Sequence, residues 1–467
     1  MQKILLFIAS LFYFNSLFAK DEIKSWQGIH ETPLSRLEQQ FADPPVEFAN
    51  HVIWGWEGKM DKKTICNDLD SIKKKGFRAI IFEAGYKLPF KYLSEEWFKA
   101  IRTGVLEAKK RGMKVWIIDE GKYPSGFAGG KFSQERPDLR MQALVIGDTI
   151  QIKRGEVMTN HKIAPEIISA VAVSTSGAPN RTVAINNGEI SFNAGLDDWK
   201  ILLVKSDFRT AVTRAVNNPN GGKDATNSLC DYLNPVAVQQ FIDWTHEQYK
   251  KYLGKELGTT VLGFRGDEPD YAHLPWTPSI VQTFKDTKGY DPTPYLASFF
   301  TTSPTIQEQR VKADYWDVWS SLFATHFFKL QADWCAANGV AHITHLNKEH
   351  EMPACVKAEG DYFRNLSKVQ IPGVDAIWNQ IWPGTLNDFP KLASSVAHVY
   401  GKPRAFSESF AAYHISPTIP QAKFVVDHQI ARGINFFEFM FWPAGSKHRN
   451  WMSDPGMKGL NKYTNRT

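Results

Sequence analysis

The chain has 467 residues, 43% hydrophobic and 22% charged, and its 55 Lys and Arg against 49 Asp and Glu leave a formal charge of +6. This balance excludes disordered, collagen-like and coiled-coil chains, and with no basic run interleaved with aromatics it argues against nucleic acid as a partner. The 31 Phe, 15 Trp and 15 Tyr are enough for a large core with flat rings left to line a cleft.

At the N-terminus, Lys3 precedes an apolar run over 4–14, and Ser16 and Ala19 lead into charged Lys20, Asp21 and Glu22. About a dozen apolar residues fall short of the roughly 20 that span a bilayer. Residues 1–19 therefore read as a signal peptide cleaved after Ala19, with an uncleaved anchor as the alternative. No later stretch reads as transmembrane, so an exported protein, periplasmic or secreted, is expected. Cys66, Cys230, Cys335 and Cys355 are far apart and form no C-x-x-C pair, so they either bridge after export or remain buried thiols.

After a lead over 20–46 rich in Glu, Gln and Pro, the sequence repeats a short apolar run, a loop and an amphipathic helix. The runs fall at 51–56, 79–82, 114–118, 260–264, 340–344, 374–378, 404–406 and 434–441. Asp61 caps a helix that sets Ile65, Leu69 and Ile72 on one face and stops at Gly76. A second helix from Ser94 has Glu95 and Glu96 in its first turn and Lys109, Lys110 and Arg111 in its last, as the helix dipole prefers. Residues 140 to about 225 break the rhythm with alternating segments at 170–173 and 201–204, which predicts an inserted β-rich subdomain. Asn234 and Pro235 then open another helix, and helices over 313–337, 386–400 and 421–431 separate the later runs. Eight strands alternating with helices predict an α/β fold, a (β/α)8 TIM barrel over 47–455 with the insertion inside it. A doubly wound open sheet usually has fewer strands and a nucleotide-binding Gly loop after the first, which is absent here.

Such a barrel carries its reactive groups at the C-terminal ends of its strands. There the sequence collects Trp54, Trp56 and Glu57, then Glu83, then Asp119 and Glu120, then Asp267, Glu268 and Asp270, then Asp375 and Asn379, then Glu408, and finally Trp442. Carboxyl groups at many strand ends suit glycoside cleavage, in which a protonated acid feeds the leaving oxygen and a second carboxylate acts as base or nucleophile. Any one of these acids reads equally well as a salt-bridged loop residue, and only the set at matched positions carries weight. Glu268 and Glu408, across the mouth from each other, are the expected catalytic pair, and Pro269 biases Glu268 toward an extended backbone. Trp54, Trp56, Asp119, Glu120, Asp267, His345, Asp361, Arg364, Asp375, Asn379 and Trp442 are the expected substrate contacts.

Three weaker patterns remain. His342, His345, Glu349, His350 and Glu351 lack H-E-x-x-H spacing and read as a substrate-contacting loop rather than a zinc site. The stretch over 125–131 has Ser125 where a phosphate loop begins with Gly, and Phe132 where Ser or Thr would hold magnesium, so its glycines read as a tight turn beside the cleft. Asp361 and Arg364 form either a structural salt bridge or a ligand-positioning pair.

The segments Asp119-Glu120 through Pro124-Ser125-Gly126 to Gly129-Gly130, Gly266-Asp267-Glu268-Pro269, Gly360-Asp361-Tyr362-Phe363-Arg364 with Ile371-Pro372-Gly373-Val374-Asp375, and Ser407-Glu408-Ser409-Phe410 occur in that order. Together they resemble the α-L-rhamnosidase-like glycoside hydrolases of family 106, over most of residues 47–455. The resemblance implies a secreted (β/α)8 hydrolase of plant or microbial oligosaccharide or polysaccharide, with Glu268 as general acid and Glu408 as general base. It also implies inversion of configuration and an active-site calcium, with no organic cofactor. No stretch reads as an EF-hand loop, so calcium rests on the resemblance alone. Members of the family continue past the barrel into β-sandwich domains, so 456–467 reads as the stub of a longer chain. Two other readings stay open: a non-catalytic glycan-binding barrel, and a retaining, galactosidase-like hydrolase. Carboxyl separations of about 5–5.5 Å for retention and 6.5–9.5 Å for inversion distinguish the two hydrolases.

Overall fold

Strands buried on both faces pair in parallel under a cover of helices, and the eight apolar runs are buried along nearly their whole length. The computed structural model describes residues 24, 26–28, 33–85, 87–121, 123–209, 228–269, 271, 274–385, 387–413, 416–445 and 451–466. Its barrel strands are β1 (His51–Trp56), β2 (Ala79–Ala84), β3 (Lys114–Ile118), β4 (Val261–Gly266), β5 (Ala341–Thr344), β6 (Ile371–Ala376), β7 (Phe406–Ser409) and β8 (Phe436–Pro443). They close in chain order, each parallel to its neighbours, with β8 returning to β1. The chain is a (β/α)8 barrel. The expected signal peptide at 1–19, the end of the insertion past residue 209 and Asp270 lie outside the described residues. No helix among the described residues is long and apolar enough to cross a membrane.

The helices form where capping and periodicity place them. In α1 (Lys62–Lys74), the Asp61 carboxylate accepts from Thr64 N–H at 2.9 Å, and Ile65, Leu69 and Ile72 are buried. The helix α2 (Glu95–Lys110) is capped by Ser94. Further round the barrel run α3 (Pro235–Trp244), α4 (His246–Leu253), α5 (Ile306–Leu322), α6 (Lys329–Ala337), α7 (Met352–Glu359), α8 (Tyr362–Leu366), α9 (Pro390–Val399) and α10 (Ile419–Ile430). The helix expected over 313–337 is thus two, α5 and α6, joined by the π-helical turn Phe323–Phe328.

Between β3 and β4 the chain builds four strands of a five-stranded antiparallel sheet around Gln142–Ile152, Trp199–Phe208 and Ile167–Ser174, which Pro275–Trp276 after β4 completes, beside a three-stranded one. Its own core holds Phe192, Trp199, Ile201 and Leu203. The barrel floor is apolar: Ile53, Ile81, Trp116, Leu262, Ile343, Phe406 and Phe436 fill it, and Trp26 plugs it from below, edge-on to Trp116 at 6.0 Å. With the floor sealed, a ligand reaches the barrel interior from the C-terminal mouth.

Three strands run differently from the sequence reading. β4 extends to Gly266 and so includes Arg265, β6 starts at Ile371 and ends at Ala376, and β7 spans Phe406–Ser409. Glu408 therefore lies within a strand rather than beyond it, as Asp375 also does, and the pleat fixes the direction of both.

Candidate active site

Three adjacent strands place a carboxylate at matched height: Asp375 on β6 is in register with Glu408 on β7, which is in register with Glu438 on β8. Like charges side by side on a sheet repel, and a buried guanidinium relieves them. Arg265, fully buried on β4, contacts Glu408 through Nη2, lies 2.5 Å from Asp267 through Nη1, and lies 3.2 Å from Glu438 through Nε. Glu438 is also 3.2 Å from His51 Nε2.

His345, just past β5, joins the two halves of the site. Its Nδ1 is 2.8 Å from the Leu346 carbonyl, and its Nε2 is 2.7 Å from Arg265 Nη2 and 3.2 Å from Glu408 Oε2. Burial and the Arg265 charge oppose a second proton on the ring, yet Glu408 and Glu349 outweigh them and push His345 up to about 9. One donor atom each from Glu268, His345 and Asp375 falls within 4.8 Å of the others, and the same holds for Asp267, His345 and Glu408. Glu268 and Glu408 thus both border His345.

Glu268 and Asp375 bring carboxyl oxygens within 4.8 Å of each other. Burial and then the Asp267 charge push Glu268 up to about 7, and burial followed by the Glu408 charge raises Asp375 well above the usual range. The pair therefore holds a proton at neutral pH, while Glu408 is ion-paired. The Glu268 backbone is not extended as Pro269 suggested: its φ is +38°, in the left-handed region that costs a residue with a Cβ.

Asp119 lies underneath. Ser125 Oγ donates to Asp119 Oδ1 at 2.6 Å and accepts from Asp267 N–H at 2.6 Å, which ties the segment after β3 to the one carrying Glu268. Gly126, at φ +97°, makes the turn, and a Cβ there would lie 2.6 Å from the Tyr232 ring.

Several expected contacts lie elsewhere. Inward residues alternate along β1, so Trp54 and Trp56 face outward and pack against Phe82 and Trp97, fully buried under the helices. Glu120 is sealed and accepts from the N–H groups of Gly121, Ala128 and Gly129, so it braces a loop rather than meeting a substrate. Asp361 caps α8 by accepting from the Arg364 N–H, while the Arg364 guanidinium binds Asp317 at 2.7 Å on the outer helices, so both residues are structural but they do not form the salt bridge with each other that the sequence suggested. Trp442 packs against the helix-side core. The mouth offers other aromatics: Trp378, 55% exposed just past β6 beside Asn379, and Phe441, 40% exposed over Gly55 and Glu83. The sequence reading missed Glu438 and His51 because it looked beyond the apolar runs and these sit inside them, and it missed Arg265, the first residue past the run ending at 264, because it sought carboxyl and aromatic groups there.

The glycoside hydrolase family 106 model, described as alpha-L-rhamnosidase, matches residues 164–461. The chain belongs to glycoside hydrolase family 106. This family 106 chain is 24% identical, over 91% of its length, to a curated protein of Formosa agariphila named as a candidate beta-glucuronidase, and spans 39% of that protein. Among solved structures, the rhamnosidase from Novosphingobium sp. PP1Y superposes with a TM-score of 0.71 at 16% identity, covering 93% of this chain and 60% of that one, a likeness of fold. The glycoside hydrolase domain of PgaB from Bordetella bronchiseptica gives a TM-score of 0.40 at 9% identity, over 89% of this chain and 98% of that one.

Proposed function

We propose that this chain is the hydrolytic barrel of an exported, α-L-rhamnosidase-like glycosidase that cleaves O-glycosidic bonds in oligosaccharides or polysaccharides. One observation carries the reading: two carboxyl groups border the same histidine in opposed environments, Glu268 pushed up to about 7 and Glu408 paired with Arg265. Glu268 protonates the glycosidic oxygen as the anomeric bond breaks and the alcohol leaves. Glu408, aimed by Arg265 and His345, takes a proton from the water whose oxygen bonds to the anomeric carbon. Trp378 and Phe441 offer flat faces to the sugar.

Calcium, which the family resemblance implies, meets suitable donors, since the mouth is rich in hard carboxylate oxygens and Asp375 Oδ1 is buried with no hydrogen-bond partner among the described residues. Asp375, on β6 beside the strand of Glu408, would hold it through that oxygen. When bound, it supplies a positive anchor for sugar hydroxyls.

The test is hydrolysis of aryl glycosides. Glu268→Gln and Glu408→Gln should each lower turnover by about 10²–10⁴-fold with folding retained, and a near-normal rate in either removes that residue from the mechanism. A folded wild-type chain that binds oligosaccharide without cleaving it supports the glycan-binding alternative. The anomer first released, read by NMR, separates inversion from retention. EDTA should depress the wild-type rate and added calcium restore it; a rate indifferent to EDTA removes calcium.

A uronoside is the second reading of the sugar. It is supported by the name of the Formosa relative. Aryl α-L-rhamnosides and β-D-glucuronides assayed side by side decide between the two.

A further inference from the structure

Another group of side chains with metal-ligand chemistry lies outside the mouth, between the barrel wall and the helices. Ala341 and Ile343 face the barrel interior, so His342 between them on β5 faces outward, where it meets Cys335 on α6 and His246 at the start of α4. All three are buried, and one donor atom from each lies within 4.8 Å of the other two. The surroundings are aromatic: the His246 ring is 4.3 Å from Phe264 and 5.1 Å from Trp334.

The tautomer that satisfies every group around His246 leaves Nε2 bare. Thr245 Oγ lies 2.7 Å from the Phe241 carbonyl and 2.8 Å from His246 Nδ1, and with its one proton on the carbonyl it accepts from Nδ1–H. The ring proton is therefore on Nδ1, and Nε2 presents a bare lone pair. Among the described residues that atom is buried without a hydrogen-bond partner, as are both ring nitrogens of His342, and Cys335 is a free thiol. Orphaned polar atoms in a dry core are costly and call for an explanation. An imidazole whose Nδ1–H is held by an oxygen while Nε2 faces a thiol and a second imidazole has the arrangement of a metal ligand.

We propose that His246, Cys335 and His342 bind one thiophilic d10 metal ion, copper(I) or zinc(II), which pins β5 to α4 and α6. One thiolate and two imidazoles select such ions and offer calcium no oxygen. On binding, Cys335 releases its proton to buffer and its sulfur bonds the ion, at bond lengths of about 2.0–2.3 Å that small side-chain rotations allow. With copper(I) the thiolate and ion charges cancel, which suits an aromatic pocket better than the net positive charge left by zinc(II). The ion is structural, because the β5 strand separates it from the mouth.

The test uses the full chain, stripped with chelator and equilibrated without oxygen against copper(I) and, separately, zinc(II). Bound metal is counted by mass spectrometry and the thermal midpoint measured. We expect about one ion per chain and a midpoint raised by several degrees, both retained in Asp375→Asn and lost in Cys335→Ser and His342→Phe. Circular dichroism checks the fold of each variant, and where a variant does not fold the wild-type titration decides alone. A folded wild-type chain that takes up neither ion, or a folded Cys335→Ser chain that takes up as much as wild type, overturns the proposal.

Discussion

Glu268 can act as an acid only while it holds its proton, and burial beside Asp267 keeps that proton on up to about pH 7. The wild-type kcat/KM should therefore fall about tenfold per pH unit above neutrality. An aryl glycoside with a good leaving group needs no acid, so residual Glu268→Gln activity on it should show no such limb. A wild-type profile level from pH 6 to 9 would remove Glu268 from the acid role. Glu268, Asp267 and His345 were legible in the sequence because they follow apolar runs, where barrels keep their chemistry. Arg265 was not, because it sits within a strand between Phe264 and Gly266, where an unpaired charge would be prohibitive. Its place makes sense only once Asp267, Glu408 and Glu438 surround it, and those partners come from other strands. Trp54 and Trp56 were misread for a related reason: composition suggests sugar platforms, but strand parity decides which face a ring takes, and His51 and Ile53 take the inner one.

The count and order of the strands were readable from alternation with capped helices, while the bounds of β6 and β7 were not: inward Glu408 interrupts the apolar pattern where β7 continues, and Pro372 and Gly373 mask the start of β6, whose end the run over 374–378 overshoots. β4 matters most to the site because it aims Arg265, and its fit depends on Gly263. A Cβ there would lie 2.1 Å from the Ala341 carbonyl oxygen and 2.3 Å from the Trp116 ring, one being backbone and the other a ring packed in the barrel floor. Gly263→Ala should therefore push β4 away from β3 and β5, costing about 1–3 kcal/mol, and displace Arg265 two residues on. Urea unfolding should give a lower midpoint, and kcat should drop although no residue touching substrate has changed. A variant with wild-type midpoint and rate would mean that β4 has room the packing denies it.

At the scale of the molecule, the mouth and the loop beneath it concentrate carboxyl groups that folding holds in their protonated form. Burial first, then neighbouring charge, pushes Asp119 and Glu268 up to about 7 and Glu120 and Glu349 up to about 8. In the unfolded chain such groups titrate near 4. Between about pH 4 and pH 8 the folded state therefore binds more protons than the unfolded one, and stability must fall as pH rises through that window. Two kinds of group act oppositely. Glu107 is lowered to about 2 by its Lys110 and Arg111 partners, so what it contributes is lost only in stronger acid, and burial lowers His342 to about 3 and His246 well below the usual imidazole range, so below about pH 6.5 these two oppose, but do not outnumber, the four carboxyls. The thermal midpoint should accordingly be highest near pH 5 and decline steadily to pH 8, with a smaller decline in Glu349→Gln, which removes one of the four titrations. Calorimetry from pH 5 to 9 checks this, and a midpoint that rises over that range would show that these carboxyls are ionised in the folded chain. The same protons serve stability and the proposed catalysis, because the conditions that keep Glu268 armed as an acid also relieve charge repulsion at the mouth, so the pH optimum of activity should lie on the stable, acidic side of neutrality.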